Sequence, residues 1–231
     1  PEMGQPVGRI VPADEILQIF DWLLRAGALD RVEAIVSGYL PSPEHVAAIA
    51  EIVNALKSKN PDVTYCCDPI CGDNEHLYLP DTVAQGIATK LLPLADIATP
   101  NLFELQYLAG GSPLASTEDV VHAARSLNVP QVAVTSAPAP EDRIATLLVS
   151  KETARCETAK APRAPHGMGD LFSALYLALR LSGEAKALGI ATGTLSAIAN
   201  ANMETQTLPH GPLALAAPTL QETLVVAQKA S

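Results

Sequence analysis

The chain has 231 residues, of which 48% are hydrophobic, 17% are charged and 4% are aromatic. This composition suits one large domain with an aliphatic core and excludes an intrinsically disordered protein. The net charge of −10 argues against a nucleic-acid partner, which requires clustered Lys and Arg, and no apolar run reaches the length of a membrane span.

Helix-like and strand-like patterns alternate along the chain. Helices are predicted where apolar residues recur with a helical period, and strands where short apolar or β-branched runs stand between turn signals. In chain order, helices are predicted at 13–26, 44–59, 81–92, 101–110, 116–127, 171–181, 186–202 and 219–230. Strands are predicted at 34–37, 63–68, 97–99 and 131–136, followed by an antiparallel pair at 143–150 and 152–159.

This alternation determines the expected fold class. Short strands separated by longer helices imply right-handed βαβ crossovers and a sheet that is covered on both faces. No linker that would divide the chain is visible, so we expect a single domain over residues 1–231. The predicted architecture is a three-layer α/β/α sandwich, with a mainly parallel central sheet and helices on both faces.

The four cysteines, Cys66, Cys67, Cys71 and Cys156, have a spacing that matches no usual zinc site. We therefore expect them to be small, buried and reduced residues of a cytoplasmic protein. The opening stretch PEMGQPVGRI has no basic-then-apolar secretion signal, which agrees with that location.

The stretch GMGD at 167–170 stands at the start of an apolar helix. A helix start exposes unpaired backbone N–H groups and the positive end of the helix dipole, and glycines let an anion approach them closely. The chain has no Gly-Lys-Ser or Gly-Lys-Thr P-loop, and Phe172 stands where a dinucleotide fingerprint needs glycine. GMGD therefore predicts either an ordinary helix cap or an anion cradle whose Asp170 accepts a proton from an alcohol. Because residues 171–181 are apolar nearly all round, we expect this helix to be buried centrally.

Polar residues follow the other predicted strands. In open α/β sheets, ligands bind beyond the carboxyl ends of the strands, so these residues are the candidates for binding. They are Tyr39, Asp68, Asp73, Asn101, Glu104, Thr135 and Ser136. Each also has an ordinary structural explanation; Asn101 and Glu104, for instance, match a helix capping box.

Five sequence blocks, in order between about Gly38 and Leu181, resemble the vitamin B6 branch of the ribokinase-like superfamily, the pyridoxal kinases. GMGDLFSALYLAL is similar to the Gly-x-Gly-Asp signature of that superfamily. The other four blocks are SGYLPSPEHV, CDPICGD, LLPLADIATPNLFELQYLAG and VAVTSA. The resemblance implies ATP-dependent phosphorylation of the 5′-hydroxymethyl group of pyridoxal, and of pyridoxine or pyridoxamine, in vitamin B6 salvage.

The resemblance also implies roles for individual residues. Asp170 would be the catalytic base, and Gly167, Met168 and Gly169 would supply the amides of an anion hole. Asp68, Asp73, Asn101 and Glu104 would surround the ATP phosphates and Mg²⁺, with Asp73 and Glu104 reaching the metal largely through water. Thr135 and Ser136 would lie near the phosphates and a monovalent cation such as K⁺, and Tyr39 would border the pyridine ring. The family pattern asks for no role of His166, and it implies a homodimer.

Two features depart from the family pattern. Met168 stands where the family usually has a small residue, commonly Thr. Family members carry a first strand and a flap strand before the region where this chain starts, so the chain is expected to lack that strand and part of the flap. The alternative functions are a hydroxymethylpyrimidine phosphate kinase or a sugar kinase of the same superfamily, and a non-catalytic binding protein that kept the fold.

Overall fold

The structure is a computed structural model that describes residues 8–73, 76–162, 165–180, 183–201 and 224–229. Its helices are α1 (Ala13–Arg25), α2 (Pro43–Lys59), α3 (Asp81–Gly86), α4 (Leu102–Leu108), α5 (Thr117–Ser126), α6 (Met168–Leu179) and α7 (Glu184–Ala201). A π-helical turn at Ile87–Leu91 and a 3-10 turn at Leu92–Leu94 continue α3. The strands are β1 (Ala34–Ser37), β2 (Thr64–Cys67), β3 (Gly72–Asp73), β4 (His76–Leu77), β5 (Ile97–Ala98), β6 (Gln131–Ala137), β7 (Arg143–Val149), β8 (Glu152–Ala159) and β9 (Leu224–Lys229).

Seven of these strands form the central sheet, in the order β1-β2-β5-β6-β7-β8-β9. The first four are parallel to one another, whereas β7, β8 and β9 each pair antiparallel to the strand before. Five of the seven strands in the described sheet therefore run in one direction. The two strands outside this sheet, β3 and β4, form a small antiparallel pair of their own.

Helices cover both faces of the sheet, because side chains that alternate along each strand point to opposite sides. On β2, Tyr65 and Cys67 belong to the core beneath α2, α3, α4 and α5, whereas Cys66 belongs to the core beneath α6 and α7. All three side chains are fully buried. The predicted three-layer α/β/α sandwich is therefore confirmed.

Most predicted elements are confirmed, and the exceptions have physical reasons. The segment 219–230 was expected to be helical, but Leu224–Lys229 forms β9 and pairs with β8 from Glu152 to Glu157. A short apolar run fits either periodicity, and here a sheet edge is available to pair with it. The predicted helix at 81–92 changes to a π-helical turn after Gly86.

The prediction that the helix after GMGD is buried centrally is wrong. Phe172, Ser173 and Tyr176 are its buried residues, whereas Asp170, Ala174 and Ala178 form an exposed stripe. The stripe follows from the position of α6 in an outer layer of the sandwich, where one face of a helix contacts the sheet. Overall hydrophobicity therefore overestimates the burial of this alanine-rich helix.

The prediction that the cysteines are buried is confirmed: Cys66, Cys67, Cys71 and Cys156 are all free thiols with buried side chains. Burial raises the pKa of each thiol, in the case of Cys156 to about 11. No helix among the described residues combines the length and apolar character that crossing a membrane requires.

Candidate active site

The carboxyl ends of the parallel strands meet at one edge of the sheet, as their shared direction requires. Backbone hydrogen bonds continue the sheet past the strand ends: the Asp68 amide donates to the Ser37 carbonyl at 2.9 Å, and the Thr99 amide donates to the Cys67 carbonyl at 3.1 Å. At the end of β6, Thr135 forms an isolated bridge with Asn101. The candidate residues that follow β2 and β5 therefore lie side by side with Thr135, near the end of β6.

Asp68 lies at the floor of this edge, with only 5% of its surface exposed. Its Oδ2 atom accepts a hydrogen bond from the Ser173 hydroxyl at 2.9 Å, and Ser173 Oγ is 2.8 Å from Thr99 Oγ1. These contacts join the ends of β2 and β5 to the second turn of α6. Burial raises the pKa of the Asp68 carboxyl to about 8, and the charges of Glu104 and Asp170 act in the same direction, against the Ser173 hydrogen bond.

Glu104 is buried as well, and backbone N–H groups surround its carboxylate. The amides of Cys71 and Gly72 donate to Oε1 at 3.0 and 3.4 Å, and the amide of Asn101 donates to Oε2 at 2.9 Å. Burial raises the pKa of Glu104 to about 7, although these three hydrogen bonds oppose the shift. Glu104 thus fixes the loop that leads to Asp73.

Asn101 also holds Glu104 and the loop that leads to Asp73, through two side-chain hydrogen bonds. Its side-chain oxygen accepts from the Glu104 amide at 2.9 Å, which together with the reverse bond forms the predicted capping box of α4. Its side-chain nitrogen donates to the Gly72 carbonyl at 2.8 Å. A Cβ atom on Gly72 would lie 2.4 Å from both the His76 carbonyl oxygen and Phe103 Cε1, so the close approach of these loops requires glycine here.

The GMGD stretch forms the N-terminus of α6, as predicted. Gly167 is the N-cap residue in the left-handed conformation, with φ of 84°, and Met168, Gly169 and Asp170 form the first turn. The first amides of a helix have no intrahelical acceptor, so these three N–H groups point out of the helix start. Apart from its chain neighbours and the backbone of α6, no atom lies within 4 Å of a Cβ built on Gly169, so the space beside this turn is open.

Asp170 is exposed on this first turn and lies beside the end of β1. A Cβ atom on Gly38 would stand 3.3 Å from Asp170 Oδ1. Asp170 is therefore on the same edge of the sheet as Asp68 and Glu104. One exposed carboxylate, a set of outward amides and two buried carboxyls can together receive a proton and surround a charged phosphoryl group.

The other predicted residues lie at the rim of this arrangement. Thr135 and Ser136 form an irregularity in the pairing of β6 with β7, and Ser136 has a positive φ of 57°. Asp73, at the end of β3, is exposed, and so is His166 just before α6. Tyr39 follows β1 and is 59% exposed.

Sequence reasoning did not select Ser173, which the structure places at the centre of the site. Its buried hydroxyl contacts both Asp68 and Thr99. The signal in the sequence is a small polar residue within the apolar run, one helical turn after Asp170. Spacing alone does not show which strand ends such a hydroxyl would reach.

The described residues hold no group of three or more His, Cys, Asp or Glu side chains placed to bind a metal ion directly. Asp68, Asp73 and Glu104 nevertheless provide carboxylate oxygen at one edge of the sheet. Mg²⁺ usually keeps several waters and binds through one or two carboxylates together with substrate phosphates. The donor set therefore fits a magnesium ion that arrives with a nucleotide.

Comparison with solved structures shows the same fold. Pyridoxal kinase from Entamoeba histolytica superposes with a TM-score of 0.84 at 25% identity, covering 98% of this chain and 85% of that protein. The pyridoxal kinase from Leishmania donovani in complex with ADP and pyridoxamine superposes with a TM-score of 0.83 at 22% identity, covering 99% of this chain and 86% of that protein.

Sequence comparison is consistent with the structural match. Pyridoxal kinase PdxY from Burkholderia mallei is 35% identical over 79% of this chain and 67% of its own length. PdxY from Corynebacterium diphtheriae is 32% identical over 75% of this chain and 64% of its own length, so the chain spans about two thirds of these relatives. The profile of the phosphomethylpyrimidine kinase family matches residues 11–209. The chain therefore belongs to the phosphomethylpyrimidine kinase family, and pyridoxal kinases are among its relatives.

Proposed function

We propose that this site transfers the γ-phosphoryl group of ATP to the 5′-hydroxymethyl group of pyridoxal, as part of vitamin B6 salvage. The observation that carries the proposal is the position of Asp170. It stands on the first turn of α6 beside Gly38, at the same edge of the sheet as the buried Asp68 and Glu104. The relatives named pyridoxal kinase support this choice of substrate.

In this proposal, Asp170 is the general base. It accepts the proton of the substrate hydroxyl while the hydroxyl oxygen attacks the γ-phosphorus, and the bond between that phosphorus and the β–γ bridging oxygen breaks to release ADP. The amides of Gly167, Met168 and Gly169 form the anion hole for the transferred group. The open space beside Gly169 supports this role. Met168 contributes through its backbone, since its side chain has no hydroxyl.

Asp68, Asp73, Asn101 and Glu104 would hold the nucleotide phosphates and Mg²⁺, with Asp73 and Glu104 reaching the ion largely through water. When bound, the ion neutralises charge on the phosphates. Because the oxygens of Glu104 already accept three backbone hydrogen bonds, its main contribution is to orient the loop that carries Asp73.

The remaining proposals concern the exposed residues around the site, the location of the protein and its oligomeric state. Thr135 and Ser136 would contact the phosphates and a monovalent cation such as K⁺, an assignment supported by the irregular backbone at the end of β6. Tyr39 would border the pyridine ring, since its exposed side chain follows the strand end nearest Asp170. We further propose that the protein is a cytoplasmic homodimer that binds no nucleic acid, in keeping with its net charge of −10.

A second candidate function is phosphorylation of hydroxymethylpyrimidine or its phosphate. The family profile that matches residues 11–209 is described by phosphomethylpyrimidine kinase, and this observation favours it. Pyridoxal and unphosphorylated hydroxymethylpyrimidine both present a hydroxymethyl group on a nitrogen heterocycle, so the same base and the same anion hole would serve these two reactions.

A comparison of phosphate acceptors tests the proposal. Purified protein with Mg²⁺-ATP would be given pyridoxal, pyridoxine, pyridoxamine or hydroxymethylpyrimidine, and the phosphorylated products would be quantified. We expect a higher kcat/KM for pyridoxal than for hydroxymethylpyrimidine. A preference for the pyrimidine would assign the second function, and binding of ATP without transfer to any of the four acceptors would contradict the proposed pyridoxal kinase.

A further inference from the structure

The hydroxyl of Ser173 lies within hydrogen-bond distance of oxygen atoms from three segments of the site. Its Oγ atom is 2.9 Å from Asp68 Oδ2, 2.8 Å from Thr99 Oγ1 and 3.0 Å from the Gly169 carbonyl oxygen. A hydroxyl has one proton to donate and two lone pairs that accept. The Ser173 hydroxyl donates to Asp68 Oδ2, which leaves its lone pairs to accept from the Thr99 hydroxyl.

This chain of hydrogen bonds connects a helix to two strand ends. Asp68 follows β2 and Thr99 follows β5, and both are held by backbone bonds that extend the sheet. Ser173 follows Asp170 by three residues, which places the two side chains one helical turn apart on neighbouring parts of the helix surface. The hydroxyl therefore fixes the first turn of α6 relative to the carboxyl edge of the sheet.

We propose that Ser173 is a positioning residue for phosphoryl transfer. Through Asp68 and Thr99 it holds the Asp170 carboxylate and the first amides of α6 at the correct distance from the γ-phosphate. Ser173 itself touches no substrate, since only 1% of its surface is exposed. This inference rests on the proposed function, and it adds a residue that determines the geometry of that site.

The proposal predicts a specific defect in the recognition of the γ-phosphate. ADP lacks the group that the anion hole receives, so displacement of α6 would weaken ATP binding and leave ADP binding unchanged. The substitution Ser173→Cys keeps an atom at the γ position, slightly larger than oxygen, but leaves only a weak hydrogen-bond donor, whereas Ser173→Ala removes both the γ atom and the hydrogen bond. Ser126→Ala is the matched control, because the Ser126 hydroxyl donates only to the Ala123 carbonyl within α5.

The experiment measures Kd for Mg²⁺-ADP and for Mg²⁺-ATP in the wild-type protein and the three variants, together with kcat for pyridoxal. In Ser173→Ala and Ser173→Cys we expect an unchanged Kd for ADP, a weaker preference for ATP over ADP, and a kcat that falls about tenfold or more, as misplaced catalytic groups predict. Ser126→Ala is expected to match the wild type in all three quantities.

The other outcomes separate the proposed kinase activity from the proposed positioning role of Ser173. If Ser173→Ala and Ser173→Cys keep both kcat and the preference for ATP, the positioning role is wrong and the kinase proposal stands. An equal loss of ADP and ATP affinity, with a lower unfolding midpoint, would show a purely structural role and overturn the inference. If the wild type phosphorylates none of the acceptors but the variants lose the preference for ATP, the kinase proposal fails, and Ser173 positions α6 for binding of the γ-phosphate alone. A wild type that binds neither nucleotide contradicts both.

Discussion

Asp170 and Gly38 are in close contact across the site: a Cβ atom on Gly38 would stand 3.3 Å from Asp170 Oδ1 and 3.4 Å from Ile70 Cδ1. The absence of a side chain at the end of β1 therefore leaves room for the carboxylate that we propose as the catalytic base. Any side chain at this position would displace that carboxylate by a few tenths of an ångström or more.

The substitution Gly38→Ala tests this relationship. We expect kcat for pyridoxal to fall about tenfold with little change in the Kd for ATP, because small displacements of a reacting group are costly in catalysis. Gly86→Ala is a suitable control, since its Cβ would stand at the same 3.3 Å from Val46 Cγ1, a core residue, and would contact none of the candidate site residues. Equal kcat in Gly38→Ala and wild type would show that the contact is unimportant for turnover.

A second prediction separates stability from activity at Gly169. No atom lies within 4 Å of a Cβ on Gly169, so Gly169→Ala is expected to raise stability by up to about 1 kcal/mol, the helix propensity difference between the two residues. The new methyl group would occupy the space in which the phosphoryl group approaches the amides, so kcat is expected to fall. Urea unfolding and steady-state kinetics measure the two effects. A variant with unchanged kcat would place the anion elsewhere.

A third prediction concerns the loop that Glu104 holds. In Gly72→Ala the new methyl group would clash with the His76 carbonyl and Phe103 at 2.4 Å. We expect a destabilisation of about 2–3 kcal/mol, because the clashing atoms include backbone, and weaker binding of Mg²⁺-ATP because Asp73 follows directly. Unfolding by urea and nucleotide titration check the two parts. Gly110→Ala is the control: the positive φ of 101° makes alanine strained there, so stability is also expected to fall, but Gly110 follows α4 at the opposite end from Asn101 and ATP binding is expected to be kept.

The raised pKa of Asp68 predicts how stability depends on pH. The folded protein keeps a proton on Asp68 up to about pH 8, whereas an unfolded Asp loses it near pH 4. Between these values the folded state binds more protons, so this group's contribution to stability is full below about pH 4 and is lost as pH rises to about 8.

Urea unfolding of the nucleotide-free protein at pH 5 and pH 8 measures this effect. The free energy of unfolding is expected to fall more steeply with pH in the wild type than in Asp68→Asn, whose amide cannot titrate. Asp21→Asn, on the exposed surface of α1, is expected to behave like the wild type. An identical pH dependence in Asp68→Asn and wild type would contradict the raised pKa.

Much of the fold could be predicted because the periodicity of each segment was clear and the turn residues were strong. The strand at 34–37 and the antiparallel pair of β7 and β8 are examples. The strand β9 could not be predicted, because an apolar run such as LVVA satisfies either periodicity and the partner strand decides. Burial of α6 could not be predicted either, since it depends on which layer of the sandwich receives the helix.

The candidate site, too, could be predicted from the sequence only in part. GMGD and the polar residues after each strand were visible in the sequence, because parallel strands end at one edge and helix starts have a recognisable composition. The roles of Ser173 and Gly38 were not visible. Both depend on contacts between residues far apart in the chain, 105 positions apart for Ser173 and Asp68, and spacing along the chain does not record such contacts.

The central claim is that the Asp170 carboxylate takes the proton of the acceptor hydroxyl, and replacing that carboxylate by an amide tests it most directly. In Asp170→Asn we expect kcat for pyridoxal to fall by about 10²–10⁴-fold, the usual contribution of a general base, with the Kd for Mg²⁺-ATP unchanged. Asp21→Asn is the control and is expected to keep full turnover. Turnover in Asp170→Asn equal to that of the wild type would contradict the account.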